Sequence, residues 1–200
     1  TAILKHNYRG SYKYCYCTKS SHFKHIVEEA LKNDIHLETS SAFDMPMIDS
    51  LERQGTVRKD ITVICNGFKT YQYKQYIIDM IHDGYTNIIP VLDNKEEFNL
   101  YDDEIELDEP CALGIRIASE EQPDSQFYTS RLGIRQEDVI DFYNNKIADN
   151  PNFKVKLLHF FINSGISDTP YYWNELEKYV TLYCKFKKIN PELDTLDIGG

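Results

Sequence analysis

Apolar residues return along this chain in two alternating rhythms. Short runs of β-branched, aromatic or small residues alternate with stretches in which apolar positions recur every third or fourth residue. The first pattern marks strands covered on both faces, the second amphipathic helices. Residues 12–19 read as a strand, and Ser20-Ser21 as the cap of a helix whose face carries Phe23, Ile26, Val27, Ala30 and Leu31. Residues 35–41 predict a second strand, and 43–54 a helix with Pro46 in its first turn and Gly55 beyond its end. A third strand over 61–65 closes on Asn66-Gly67, and Tyr73, Ile77, Met80 and Ile81 mark a helix stopped at Gly84. Residues 87–92 give a fourth strand. Residues 93–110, with the acidic run 102–109, predict a short helix and a solvated loop. A fifth strand over 111–118 is followed by a polar excursion, 119–130, and by Leu132-Gly133-Ile134. Val139, Ile140, Tyr143 and Ile147 give the next helix, and 155–162 a sixth strand. Thr169-Pro170 opens a long helix with Tyr172, Leu176, Tyr179, Val180 and Tyr183 on one face; 193–198 is the seventh strand, ahead of Gly199-Gly200.

Strand and helix alternating over short links is the signature of parallel βαβ units. No dinucleotide-type glycine fingerprint follows the first strand, so a doubly wound sheet has little support. A (β/α)8 barrel takes eight strands and about 250 residues. Seven strands before a Gly-Gly turn therefore predict an α/β barrel truncated after strand seven, with residues 1–200 as one incomplete domain.

Composition narrows the partners. The chain of 200 residues is 42% hydrophobic and 27% charged, with a net charge of -10 and pI near 5.0. That balance argues against nucleic acid and anionic membranes, which are bound by clustered Lys and Arg. No apolar run is long enough for a transmembrane helix and no signal peptide is visible, so a cytoplasmic protein is expected. Of five cysteines, Cys15, Cys17, Cys65 and Cys111 lie in strand runs; Cys15-x-Cys17 is not zinc spacing. They read as reduced, buried thiols rather than as disulfides or a metal site.

Barrel active sites are built where the strands end. Those ends carry Lys19, the 38–41 run with Glu38, Asn66-Gly67, Arg116, the 159–165 run with His159, Phe161 and Ser164, and Gly199-Gly200. Strand alternation would put Lys19 on the face of Cys15 and Cys17, where an amine can be partly desolvated and made nucleophilic. Taken singly, each has a structural reading: an exposed lysine in a turn, a helix-capping Glu38, an Arg116 paired with a loop acid, a core His159. Taken together they predict a pocket for an anionic, aldehyde-bearing cofactor, with Lys19 as the amine that attaches it and N–H groups of Gly199-Gly200 for its phosphate.

The motifs resemble, in order and spacing, the barrel domain of fold-type III pyridoxal-phosphate decarboxylases, of the alanine racemase kind of fold, and most of all the biosynthetic arginine decarboxylases. Tyr16-Cys17-Thr18-Lys19 matches Y-x-x-K, Glu38 to Asp44 an acid-x-x-S-x-x-acid element, and Ile64-Cys65-Asn66-Gly67-Phe68-Lys69 the string I-C-N-G-x-K. Arg131-Leu132-Gly133 falls where the family has a basic residue before F-G; Leu158 to Ser164 aligns with L-H-F-H-x-G-S, and Leu196 to Gly200 begins D-x-G-G-G. The chain departs at Phe161, where the family stacks a histidine on the cofactor ring, and at Asn163, where it has glycine. His159, two residues before Phe161, shares its face and is at best a partial substitute. The resemblance implies pyridoxal 5'-phosphate held by Lys19, with Glu38, Arg116, His159, Phe161, Ser164, Gly199 and Gly200 around it. It implies decarboxylation of L-arginine to agmatine in polyamine biosynthesis, by a homo-oligomer completed by a last strand and a C-terminal β-domain beyond Gly200. The alternatives are an ornithine or diaminopimelate decarboxylase of the same class, or a non-catalytic regulatory relative. A magnesium requirement is not readable from the motifs.

Overall fold

A computed structural model describes residues 5–102, 110–119, 132–162 and 169–199. Seven parallel strands lie side by side in chain order: β1 (Cys15–Cys17), β2 (His36–Thr39), β3 (Val63–Cys65), β4 (Ile88–Leu92), β5 (Cys111–Arg116), β6 (Phe153–His159) and β7 (Thr195–Asp197). Parallel neighbours require a crossover, and helices lie in each one: α1 (Lys24–Lys32), α2 (Asp44–Arg53), α3 (Tyr71–His82), α4 (Asn99–Asp102), α5 (Val139–Phe142) and α6 (Thr169–Ile189). The long helix opens at Thr169-Pro170, as its sequence predicts.

The sheet is curled into a partial barrel. Strands pair about 4.8 Å apart, so in a flat sheet β1 and β6 would stand about 24 Å from each other. Instead, the Lys19 ammonium just after β1 lies 5.4 Å from the ring of Phe161 just after β6. Pairing register then sorts the two faces. Cys17, Glu38 and Ile64 are register partners, as are Gly114 with Leu157, and Arg116 with His159 and Asp197. These point inward, where Ile64, Val91 and Leu157 form a small apolar plug packed by Cys15 and Ile89. The alternate residues, among them Leu37, Val63, Cys65, Leu92, Leu113, Ile115, Leu158 and Phe160, face the helices in the main core.

One irregularity decides what the inner face presents. Between β5 and β6 the register slips by one residue after Leu113, so that Gly114 pairs with Leu157 and Arg116 with His159. A one-residue slip exchanges the two faces of a strand. Without it Leu158, not His159, would stand opposite Arg116. Gly114 is required there, because a Cβ would lie 2.9 Å from both Leu157 Cδ2 and Val91 Cγ2.

The carboxyl ends of the strands fall inside the runs that the apolar pattern predicts, although β6 begins at Phe153, two residues ahead of its run. β1 stops at Cys17, because Ser21 N–H donates to Thr18 O and turns residues Thr18–Ser20 into a single 3-10 turn. Lys19 thus leaves the alternation and stands exposed rather than desolvated beside Cys15 and Cys17. The Ser20-Ser21 pair does not cap α1, whose N-cap is Phe23 with no side-chain bond. After β4 the expected solvated loop begins buried: Asp93, Glu97, Phe98 and Tyr101 are all enclosed. Most of the acidic run, 103–109, lies outside the described residues.

Candidate functional site

Lys19 is carried on the turn that leaves β1. Thr18 Oγ1 donates to Glu38 O at 3.1 Å and Tyr16 Oη to Ser21 O at 3.1 Å, while His22 Nε2 meets Asp44 Oδ1 at 2.7 Å. Among the described residues no carboxylate pairs with the Lys19 amine, which lies 5.4 Å from the centre of the Phe161 ring. On β2, Glu38 faces inward and its Oε1 accepts a hydrogen bond of 2.9 Å from Asn66 Nδ2 at the end of β3. The chain can turn sharply there because residue 67 is glycine: its φ is +79°, and a Cβ would sit 2.9 Å from Ser40 O.

Behind this rim lies a buried charge network that holds the ends of β3, β4 and β5 together. The Lys69 ammonium, 0% exposed, donates to Gly67 O and, at 2.6 Å, to Val91 O, and lies 3.8 Å from Glu97 Oε2. Glu97 in turn accepts the backbone N–H groups of Lys69 at 3.2 Å and Asp93 at 2.9 Å. Arg116 NH1 stands 3.5 Å from Asp93 Oδ1. Burial lowers the proton affinity of Lys69 although Glu97 and Asp93 oppose it. Burial likewise raises the Glu97 carboxyl against the pull of Lys69. Asp93 carries both carboxylate oxygens buried without a hydrogen bond, an arrangement that leaves the Arg116 guanidinium as its neutralising charge.

The third group belongs to β6 and β7. His159 Nδ1 and Asp197 Oδ2 are 2.8 Å apart, and Asp197 Oδ1 accepts the Gly199 N–H at 2.9 Å. Burial works to raise the Asp197 carboxyl, but the hydrogen bond and charge of His159 and the Gly199 N–H outweigh it and hold it below the usual carboxylate range. Gly199 has φ +69°, and a Cβ there would lie 3.0 Å from Phe161 Cδ2 and 3.1 Å from Phe160 O. Phe160 points away to the helices, stacked 4.2 Å from Tyr179, which fixes Phe161 on the inner side. Deeper in the barrel, burial and then the charges of Asp197 and Glu38 push the Cys15 thiol up to about 12, so it is no nucleophile.

Lys19, Glu38, Arg116, His159, Phe161 and Gly199 therefore all follow or end strands at the carboxyl side of the sheet. Ser164 and Gly200 lie outside the described residues, as does Arg131. The Gly199 N–H, expected to serve a phosphate, is spent on Asp197. His159 is 4% exposed and turned to Asp197. Sequence reasoning missed Asp93 and Glu97, although a carboxylate right after an apolar strand and another four residues on was the available signal. It also missed the His22 and Asp44 pair. Among the described residues no group of three or more His, Cys, Asp or Glu is arranged to hold a metal ion, and no helix is long and apolar enough to cross a membrane.

Residues 2–200 match the family model described as "Pyridoxal-dependent decarboxylase, pyridoxal binding domain". The chain is 24% identical over 212 residues to a biosynthetic arginine decarboxylase of Vibrio cholerae and 24% over 216 residues to one of Synechocystis; each alignment covers 100% of this chain and 32% of the relative. The chain thus spans about a third of the length of these curated relatives. Among solved structures, the biosynthetic arginine decarboxylase of Campylobacter jejuni superposes with a TM-score of 0.76 at 19% identity, over 100% of this chain and 32% of that one. The diaminopimelate decarboxylase of M. jannaschii gives a TM-score of 0.76 at 18% identity, over 98% and 45%.

Proposed function

The chain belongs to the pyridoxal-dependent decarboxylase family, whose pyridoxal-binding domain it matches over nearly its whole length, and from that premise we propose that the intact protein is a lyase releasing carbon dioxide from L-arginine to give agmatine. The observation that carries the reading is Lys19: an amine free of ion pairs among the described residues, at the carboxyl end of β1, facing an aromatic ring across the mouth of the curled sheet. The arginine specificity is supported by the curated relatives and by the Ile64 to Lys69 string.

The residues present suit pyridoxal phosphate. Lys19 would supply an amine for its aldehyde and Phe161 a flat apolar surface for its ring, and the glycine at 199 lets the β7 turn pack directly against Phe161. Once bound, the cofactor is the electron sink that makes loss of an α-carboxylate feasible. The chain's own part is to hold charge in fixed places. Asn66 holds the Glu38 carboxylate and Asp197 holds His159 by hydrogen bonds, and Asp93 sets a charge 3.5 Å from the Arg116 guanidinium, so these polar groups are placed before a ligand enters. Phe161 can stack but neither donates a hydrogen bond nor moves a proton. We take Ser164 and Gly200 to complete the phosphate side, the seven strands to be part of an eight-stranded barrel with a further β-domain in the remaining protein, and the intact protein to be a cytoplasmic homo-oligomer.

The test is reconstitution of the intact protein with pyridoxal phosphate, borohydride reduction, peptide mapping of the labelled lysine, and assay of carbon dioxide release from arginine, ornithine and diaminopimelate. Label on Lys19 with agmatine formed from arginine is the expected result. Label elsewhere, or none, defeats the site. Product from another amino acid alone moves the substrate within the class, and label without product favours the regulatory relative, for which Phe161 is the supporting observation.

A further inference from the structure

We propose that His22 is a positioning residue for Lys19: by clasping the buried carboxylate of Asp44, it ties the turn that carries the amine to the end of β2. The inference rests on the reading of Lys19 as the cofactor lysine. A single 3-10 turn over Thr18–Ser20 is closed by one backbone bond, Ser21 N–H to Thr18 O, and a lone bond of that kind does little to fix a long side chain. The entry side of the turn is held to β2 by Thr18 Oγ1 on Glu38 O. Its exit side folds back on β1 itself through Tyr16 Oη on Ser21 O. His22, at 2.7 Å from Asp44 Oδ1, joins that exit side to the start of α2, ahead of the Lys24 to Gln54 bond at the start of α1.

Asp44 is built to be a fixed post. Its side chain is 0% exposed, and its other oxygen accepts the N–H of Ser40 at 2.9 Å, the N–H of Ser41 at 3.0 Å and the hydroxyl of Ser41 at 3.2 Å. It also sits in the first turn of α2, where a carboxylate is favoured by the helix dipole. Oδ1 is left for His22, which must carry its proton on Nε2 to donate to the carboxylate. The imidazole is 55% exposed, so its removal admits water to Oδ1 and leaves the three other donors in place. The fold then survives while the turn is released. A glutamine at 22 can donate from its amide to the same oxygen, and an alanine cannot.

The experiment compares wild type, His22→Ala and His22→Gln in the intact protein, following covalent attachment of pyridoxal phosphate to Lys19 by absorbance and by borohydride trapping. His22→Ala is expected to slow attachment by about tenfold or more, a scale typical of a misplaced reacting group, and His22→Gln to restore most of the rate. Attachment at the wild-type rate in His22→Ala, or a His22→Gln as slow as His22→Ala, overturns the proposal. If wild type itself attaches no cofactor at Lys19, the functional reading falls instead. The clasp is then judged by amide hydrogen exchange at Ser21 and His22: faster exchange in His22→Ala upholds it, and unchanged exchange overturns it.

Discussion

Two lysines follow strands of this sheet and share several features. Lys19 comes two residues after β1 and Lys69 four after β3, and each ammonium lies over an aromatic ring, Phe161 at 5.4 Å and Tyr73 at 5.7 Å. Yet Lys69 is wholly buried and its proton affinity is lowered by that burial, whereas Lys19 is exposed. By proton affinity alone, Lys69 would be the better nucleophile. Its hydrogens, however, are committed to Gly67 O and Val91 O with Glu97 beside them, and no ligand can reach it. A nucleophile needs a lone pair that is both available and accessible, and accessibility belongs to Lys19. The β3 end is therefore a brace, and the β1 end is the one on which the proposed function rests.

Exchanging the roles should fail in opposite ways. Lys19→Ala is expected to abolish covalent cofactor attachment completely, with a stability change within about 1 kcal/mol because the side chain is exposed and gives up a cation–π contact with Phe161 but no ion pair among the described residues. Retained attachment, seen by peptide mapping after borohydride, would end the assignment. Lys69→Met should act the other way. It leaves Glu97 buried without its cation, which costs about 3–5 kcal/mol, read as a lowered urea midpoint with unchanged slope. A loss below about 1 kcal/mol would mean that the brace is held by the Glu97 backbone bonds alone.

How much of this was legible beforehand depends on the range of the interaction. Strand order and helix placement follow from local apolar periodicity, and the motif lysine, Glu38, Arg116 and the run from Leu158 to Phe161 could be set at strand ends from spacing alone. What could not be read was long-range. The turn that frees Lys19 from the β1 alternation depends on hydrogen bonding of Thr18 and Ser21, and the slip at Gly114 that turns His159 inward depends on the packing of Val91 against Leu157. Burial of Asp93 and Glu97 was missed because acidic residues before an acidic run resemble a solvated loop. Their placement is set by Lys69 and Arg116, twenty or more residues away in the chain.

Asp197 extends the comparison to an acid, since its two oxygens are spent on His159 and Gly199 as the Lys69 hydrogens are spent on carbonyls. Its folded proton affinity is depressed, so the unfolded chain takes up the proton first as pH falls. The stabilisation is complete above the ordinary aspartate value, about 3.9, and is lost as pH drops through the lower folded value. Asp197→Asn should cost about 1.5–3 kcal/mol near neutrality and flatten the decline of stability between about pH 5 and pH 2. Urea midpoints measured across that range in both proteins decide it, and parallel curves would show that Asp197 carries no linked proton.

The smallest effect is expected at Phe161, the ring over which Lys19 stands. Removing it in Phe161→Ala forfeits a cation–π contact of about 0.5–1 kcal/mol and an aromatic surface worth about 0.5–1.5 kcal/mol beyond area. Fold stability should fall by no more than about 1 kcal/mol, since the ring is only partly buried, while cofactor affinity should fall several-fold together with turnover. Tyr73, the ring beneath Lys69, is the control: it is fully buried and bonded to Thr39 Oγ1 at 2.7 Å, so Tyr73→Ala should lower stability by about 3–5 kcal/mol. Phe161→His keeps a flat ring and adds a nitrogen that can donate or accept a proton, so it should be tolerated. It also separates two states of the intact protein. If native Phe161 supports carbon dioxide release, stacking alone is enough at this position. If wild type holds pyridoxal phosphate on Lys19 yet releases nothing from arginine, ornithine or diaminopimelate, and Phe161→His does, then loss of the imidazole silenced a site whose amine, brace and fixed charges are otherwise intact, and the regulatory reading replaces the enzymatic one.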